Sequence, residues 1–316
     1  MARLPPRRSA DLACEDRVVD TPQSGIFALG TSSHAYLEFE LSAGGRGPDL
    51  VRAVAGLREP RTTIGGVNLV AGFRPELWRE ARTDEAPTEL HGFNDDVRGS
   101  DGHVMPATQH DAMLWISGSA YDVVFDVARA AIAELAPFGS VAEETSSWPY
   151  RHDSDLTGFI DGTENPSLVE APSLVIVPRG KPGAGGTILL LQKWRHDAAA
   201  WEALSVADQE LVMGRRKEDN LELDDKPADS HVARTDQDEL GKIFRRNMPY
   251  GTVTEHGTMF VGFASEQRPL ERMLENMTGL DGGAPDALMR FTEALTGAYY
   301  WVPSAEALLR SDRSGA

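Results

Sequence analysis

The sequence predicts an α+β protein with antiparallel sheets and peripheral helices, arranged as two ferredoxin-like halves. Three observations carry this. Apolar and acidic side chains alternate from Tyr36 to Leu41, the period-two signature of a half-buried strand. A β-α-β-β-α order can be followed from there to Leu135, with a terminal strand near Ser140 to Glu144. Strand and amphipathic-helix patterns then resume after Gly185-Gly186 with different spacing.

In order, Asp49 to Leu57 places Leu50, Val51, Val54 and Leu57 on one helical stripe, and Gly65-Gly66 leads into an apolar strand from Val67 to Phe73. Thr83 to Gln109 is polar and without period, a long surface excursion. Ala112 to Ser117 is the next strand, and Tyr121 to Leu135 carries Val124, Val127, Ala128, Ala131 and Leu135 at helical spacing. The second half reads as a strand from Thr187 to Trp194, helical stretches from Ala198 to Met213, a strand from Thr258 to Ala264, and amphipathic helices over Arg268 to Met277 and Asp286 to Leu295. The expected division is a flexible N-terminus (1–24), one half over 25–150, the other over 151–309, and a flexible tail (310–316).

At 316 residues the chain can bury a core without staples, and 41% hydrophobic with 25% charged residues excludes a disordered or fibrous protein. The net charge of −18 disfavours nucleic acid and anionic membranes as partners. Cys14 is the single cysteine, which removes intrachain disulfides and thiolate clusters and suits a reducing compartment. Arg7-Arg8 and Leu12-Ala13-Cys14 look superficially like export signals, but Asp11, Glu15 and Asp16 stand where an apolar segment is needed, so the expected location is the cytoplasm.

The densest polar and glycine cluster is Gly158-Phe159-Ile160-Asp161-Gly162-Thr163-Glu164-Asn165-Pro166, preceded by His152, Asp153 and Asp155. Taken alone it reads equally as a capped turn. Phe159 stands where a haloacid-dehalogenase-type phosphatase would need its aspartate, which excludes that chemistry. Gly180-Lys181-Pro182-Gly183-Ala184-Gly185-Gly186 resembles a phosphate loop only in its glycines; it opens a strand and reads as a hairpin connection. His231, in Asp229-Ser230-His231-Val232, is by itself an ordinary histidine, although a neutral imidazole is also the commonest haem ligand. Phe244-Arg245-Arg246-Asn247-Met248-Pro249-Tyr250-Gly251 reads alone as a solvated basic turn. The other histidines form no zinc-hydrolase spacing, and no Gly-x-Ser-x-Gly elbow occurs.

Together, and in this order, the three motifs around Asp161, His231 and Arg245 resemble the dye-decolourising haem peroxidases, most of all their compact bacterial B class, over roughly Gly25 to Pro303. The resemblance implies a duplicated ferredoxin-like α+β barrel with one haem b per chain in the C-terminal half. It implies a peroxidase that reduces hydrogen peroxide through a ferryl intermediate and oxidises dyes, phenolics or other small-molecule reductants. His231 matches the proximal iron ligand, and Asp161, Arg245 and Asn247 match the peroxide side, with Gly162, Thr163 and Glu164 set beside the cofactor. Asp286 matches the acceptor of the second ligand-histidine N–H, and serves equally well as an N-cap for a helix beginning there. Arg234 is the expected partner of a haem propionate.

Of the two polar groups facing peroxide, Arg245 is expected to carry more of the rate than Asp161, because an arginine supplies charge while water can move a proton. Trp194, Trp201, Tyr299, Tyr300 and Trp301 are candidate electron relays, although each also reads as core. The acidic surface favours cationic reductants or Mn(II), with no manganese site to name. Family members are commonly homo-oligomers, often hexamers. The closing run Arg310 to Ala316 lacks the apolar peptide that directs some relatives into encapsulin shells. Two other readings stand beside this one: a haem-handling protein of the same lineage, and a haem-free ferredoxin-like ligand binder.

Overall fold

Alternation along the strands closes them into a barrel. The computed structural model describes residues 20–57, 66–82, 85–151 and 154–313. The first half runs β1 (Ser33–Leu41), α1 (Gly47–Gly56), β2 (Val67–Phe73), α2 (Pro75–Ala81), the two-residue strands β3 (Val97–Arg98) and β4 (Val104–Met105), β5 (Ala112–Gly118), α3 (Tyr121–Leu135) and β6 (Gly139–Ser147). The second half begins with α4 (Ala171–Val175), β7 (Thr187–His196), α5 (Ala198–Glu202), α6 (Val206–Met213), α7 (His231–Arg234) and α8 (Gln237–Leu240). It continues with β8 (Phe244–Arg245), β9 (Met248–Gly251), β10 (His256–Ala264), α9 (Arg268–Met277), β11 (Thr292–Ala294), β12 (Ala298–Val302) and α10 (Ala305–Arg313).

The first half contributes the sheet β2-β5-β1-β6 and the second β12-β7-β10-β9, every pairing antiparallel. The two sheets close on each other through β12–β2 and β6–β9, each seam a single ladder pair: Trp301 with Phe73, and Ser147 with Tyr250. This is the expected α+β barrel of two ferredoxin-like halves. The inward face carries Tyr36, Trp115, Leu191, Phe263 and Tyr300. Outward residues such as Leu37, Phe39 and Leu114 pack beneath the helices, as period-two strands require.

The helices form where the apolar stripe predicts them. In α3, Val124, Ala128, Ala131 and Leu135 are buried, and in α1 Pro48 starts the first turn while Leu50, Val51 and Val54 face inward. The stretch from Ala198 to Met213 splits into α5 and α6 because Ser205 caps a new helix by accepting from Asp208 N. Asp286 to Leu295 is not a helix. One 3-10 turn, Ala287–Arg290, leads into β11, whose Thr292 to Ala294 pair with His196 to Trp194. The Phe244 to Gly251 run is two short strands rather than a solvated turn. The Gly180 to Gly186 loop opens a strand as expected but connects α4 to β7 rather than two strands of a hairpin, and it is closed by Val177 N donating to Gly186 O at 2.8 Å and Gly185 N donating to Val177 O at 3.0 Å.

The described parts of both terminal segments differ from expectation. Of the segment 1–24, residues 1–19, including Cys14 and the export-like run, lie outside the described residues, as do His152, Asp153 and 314–316. Thr21 N donates to Glu306 Oε2 at 2.7 Å, and Gln23 exchanges hydrogen bonds with the Ala71 backbone, so 21–24 are tied to the barrel. Residues 310–313, expected in a flexible tail, complete α10, where Arg310 pairs with Glu85 at 3.2 Å and buried Ser311 donates to Ala307 O.

Gly257 sits where β10 crosses β7 so closely that a Cβ would lie 1.8 Å from the Trp194 carbonyl oxygen. Gly257→Ala is expected to lower stability by about 1–3 kcal/mol through this overpacking, read from the midpoint of a urea titration.

Candidate active site

Between β7 and β10 on one side and α7 and α9 on the other lies a cavity of about 790 Å³, part of it open to solvent. His231 enters it from the first position of α7, a single turn capped by Ser230, whose hydroxyl accepts from Ala233 N. The ring is fixed from behind: Nδ1 donates to Asp286 Oδ2 at 2.6 Å, and the Asp286 side chain is fully buried. Asp286 Oδ1 accepts from Leu288 N at 2.9 Å. Both roles foreseen for Asp286, histidine acceptor and N-cap, are filled at once, one by each oxygen. Nε2 of His231 has no partner among the described residues.

Asp161, Arg245 and Asn247 line the same cavity. Arg245 is placed by its backbone, because the Asn165 side chain clamps it at two points, donating Nδ2 to Arg245 O and accepting from Arg245 N, each at 2.8 Å. The last residues of the glycine motif thereby fasten it to β8. The Arg245 Nε is buried and unpartnered, and no ion pair neutralises this guanidinium among the described residues, so its charge is directed to the cavity. Asn247 Oδ1 accepts from Val261 N at 3.0 Å, which leaves its amide N–H₂ to donate. Asp161 Oδ1 accepts from Gly162 N at 2.6 Å. Gly162 has φ +75°, a conformation that suits glycine.

Thr163 and Glu164 line an adjoining pocket that also reaches His231, Asp161 and Arg245. There Glu164 is ion-paired to Arg215, and Thr163 accepts from Asn220. Arg234 departs from expectation. It lines none of these spaces, since its guanidinium donates to Asn276 O at 2.6 Å and to Asp281 Oδ1 at 2.5 Å, bracing α7 against the end of α9. Of the candidate relays, Trp194 lines the cavity, whereas Tyr300 faces the barrel interior. A broad groove leads from the cavity to the surface between Leu29 to Ser32 of the first half and Ile160, Leu168 and Leu221 of the second.

Several cavity residues were given no role from the sequence. Asp155 is half-buried beside Asp161, and loss of hydration first, with the Asp161 charge adding to it, raises its carboxyl to about 6 against the opposing Thr157 hydrogen bonds. His196 is held down to about 4 by burial and by His256, with Thr258 Oγ1 at 3.2 Å from its Nε2. Gln192 and Thr258 complete the wall on the sheet side. The remaining surface is apolar, with Phe260, Met273, Leu274, Met277 and Leu288. A flat, largely apolar macrocycle with a metal ion facing His231 Nε2 and polar chemistry facing Arg245 fits this donor set and these walls.

Residues 23–148 match the N-terminal model of the Dyp-type peroxidases, and residues 152–307 match the C-terminal one. The chain belongs to the Dyp-type peroxidase family. It is 38% identical over 270 residues to a dye-decolorizing peroxidase of Mycolicibacterium paratuberculosis, covering 82% of this chain and 74% of that one. It is 36% identical over 293 residues to one of Rhodococcus erythropolis, covering 88% and 85%. Among solved structures, a dye-decolorizing peroxidase of Bacteroides thetaiotaomicron superposes with a TM-score of 0.84 at 29% identity, covering 93% of this chain and 99% of that one. A DypB variant of Rhodococcus jostii, solved in complex with heme, gives 0.83 at 29% identity, covering 92% and 98%. Peroxidase is the enzyme class of this chain, and the haem-handling and ligand-binder readings are not favoured. Among the described residues no helix is long and apolar enough to cross a membrane.

The raised carboxyl of Asp155 carries a stability signature. Its folded value of about 6 lies above the ordinary aspartate value of 3.8, so its contribution is fully present below about 4 and lost as pH rises through about 6. Urea titrations at pH 4 and pH 7 should show wild type losing about 1–3 kcal/mol relative to Asp155→Asn over that interval.

Proposed function

We infer that this peroxidase holds one haem b in the cavity, reduces hydrogen peroxide there, and oxidises dyes, phenolics or other small one-electron donors. The observation that carries this is that His231, its Nδ1 fixed by Asp286, lines one largely apolar cavity together with Asp161, Arg245 and Asn247. His231 is the iron ligand. Asp286 draws on the Nδ1 proton, which fixes the ring's tautomer and orientation and makes Nε2 a stronger electron donor. Haem supplies the iron that binds peroxide and takes up its oxidising equivalents.

The chain's own residues manage protons and charge. Asp161 takes the proton from the inner peroxide oxygen and returns it to the outer one, so that the O–O bond breaks heterolytically. Arg245 stabilises the negative charge that develops on the leaving oxygen. Asn247 orients peroxide through its N–H₂. Asp155, more readily protonated than an ordinary aspartate in water, is a second proton reservoir in the same cavity. Thr163 and Glu164 sit on the adjoining pocket beside the cofactor's place, with Arg215 as its cation, and Gly162 lines the neighbouring groove.

Reducing substrates enter along the broad groove, whose exposed Leu29, Ile160, Leu168 and Leu221 suit an aromatic ring, and the net charge of −18 favours cationic ones. The halves 25–150 and 151–309 belong to the same proposal, supported by the two half-sheets. So does a homo-oligomer, to be read from the mass in solution.

His231→Ala should lose the Soret band that wild type shows after haem reconstitution. A ligand-independent Soret band would overturn the assignment. Stopped-flow spectra after peroxide addition should show Arg245→Leu slowed by about 10²–10³-fold, the usual loss for one oxyanion donor, and slowed more than Asp161→Ala; the reverse order would make proton transfer the dominant contribution.

A further inference from the structure

The inside of the barrel holds oxidisable rings and a buried acid that the cavity chemistry does not use. Tyr36 and Glu38 of β1, Trp115 of β5, Tyr250 of β9 and Tyr300 of β12 point inward, and Glu38 is only 3% exposed. Tyr300 is completely buried and donates its phenolic hydrogen to Glu38 Oε2 at 2.5 Å. Its strand lies against β7, with Tyr300 opposite Leu189. Gln192 and Trp194, further along β7, line the peroxidase cavity. Strand geometry puts the Tyr300 and Gln192 backbones roughly 11 Å apart.

We propose that Tyr300 is a redox-active tyrosine that holds an oxidising equivalent of the peroxide reaction inside the barrel, with Glu38 receiving its phenolic proton. The step balances. Tyr300 gives one electron to the peroxide-oxidised cofactor, its O–H bond breaks, and the proton forms a new O–H bond on Glu38. A neutral tyrosyl radical then faces a neutral carboxylic acid. An electron from an external reductant re-forms the phenol as the proton returns. The proposal rests on haem in the cavity, which the Soret band reports separately.

The other rings are worse placed for this chemistry. An oxidised phenol is a strong acid that must lose its proton, and a charge left in the barrel is costly. The hydroxyls of Tyr36 and Tyr250 are buried with no acceptor among the described residues. Trp115 has an acceptor, donating Nε1–H to His34 Nδ1 at 3.1 Å. The Arg246 guanidinium, however, lies 5.0 Å from the Trp115 ring centroid and opposes a positive charge on the indole. Burial, and then Arg246, hold the His34 imidazole down to about 4, a poor base. Glu38 has the opposite disposition: burial raises it to about 7, against the Tyr300 hydrogen bond, so it takes up a proton readily. The charged groups facing it are Glu143 of β6, Lys193 of β7 and His110 ahead of β5. Lys193 is ion-paired to Glu143 at 2.7 Å, and His110 to Glu40 at 2.6 Å.

The experiment is electron paramagnetic resonance of haem-reconstituted protein, freeze-quenched after one equivalent of hydrogen peroxide without reductant. Wild type should give a tyrosyl signal that disappears in Tyr300→Phe and persists in Tyr36→Phe and Tyr250→Phe. The signal should fall to background in Glu38→Gln, and in wild type it should weaken as pH drops through about 7, where the Glu38 carboxylate is lost. Infrared spectra of the apoprotein should show a protonated carboxyl band on that titration, absent from Glu38→Gln. Should Tyr300→Phe not retain haem, ring-deuterated tyrosine in wild type shows that the radical is a tyrosyl, and its loss in Glu38→Gln but not in Tyr36→Phe or Tyr250→Phe assigns it to the Tyr300 hydroxyl. A signal surviving in Tyr300→Phe or Glu38→Gln, a tryptophan-centred signal, or no protein radical while the Soret band reports reaction with peroxide would each overturn the proposal.

Discussion

The carboxylate of Asp286 joins the fold of this protein to its chemistry. One oxygen holds the Leu288 amide and so starts the 3-10 turn that delivers the chain to β11, while the other holds His231 Nδ1. A fully buried carboxylate needs both partners, since each unsatisfied oxygen would cost about 1–3 kcal/mol. Neither the turn nor the imidazole can move without exposing the other to that cost. The neighbouring Ala287 N donates to Asp229 O at 2.7 Å, which draws the loop before α7 onto the same turn. The histidine's direction is therefore set by the packing of two chain segments rather than by its own short helix.

Arg245 is positioned by a different device. Asn165 reaches from the glycine motif to the Arg245 backbone and behaves like one more strand residue, satisfying both a donor and an acceptor at the edge of β8. The arginine side chain is thus left free of structural duty. Its successor Arg246 faces the other side, donating to Ile26 O and Ala28 O and covering Trp115. Adjacent arginines, alternating as strand residues must, serve the cavity and the barrel interior respectively.

Much of this was legible in the sequence. The strand from Tyr36 to Leu41 and the helix from Tyr121 to Leu135 announce themselves by period, and the ordered motifs bring His231, Asp161, Arg245 and Asn247 to one cavity. What stayed hidden depends on register or distant partners. Gln192, Trp194 and His196 face the cavity because of how β7 sits between β10 and β12, and a continuous apolar run such as Thr187 to Leu191 does not say which face is which. Asp286 to Leu295 has helical spacing, yet Thr292 to Ala294 gain more by pairing with β7. Arg234 has the right chemistry for a carboxylate, but Asp281 and the Asn276 carbonyl lie nearer.

The seams of the barrel carry a consequence for assembly. Each half-sheet alone ends in two open edges, β2 and β6 or β12 and β9, and closure uses one ladder pair at each seam. The backbone pattern does not distinguish a half of the same chain from the matching half of another copy. Closure within one molecule is favoured by the covalent connection after β6, which keeps the matching edges at high effective concentration. A lengthened connection, or a concentrated refolding mixture, shifts that balance toward exchanged dimers in which a cavity built by one chain's second half is roofed by the Leu29 to Ser32 segment of its partner.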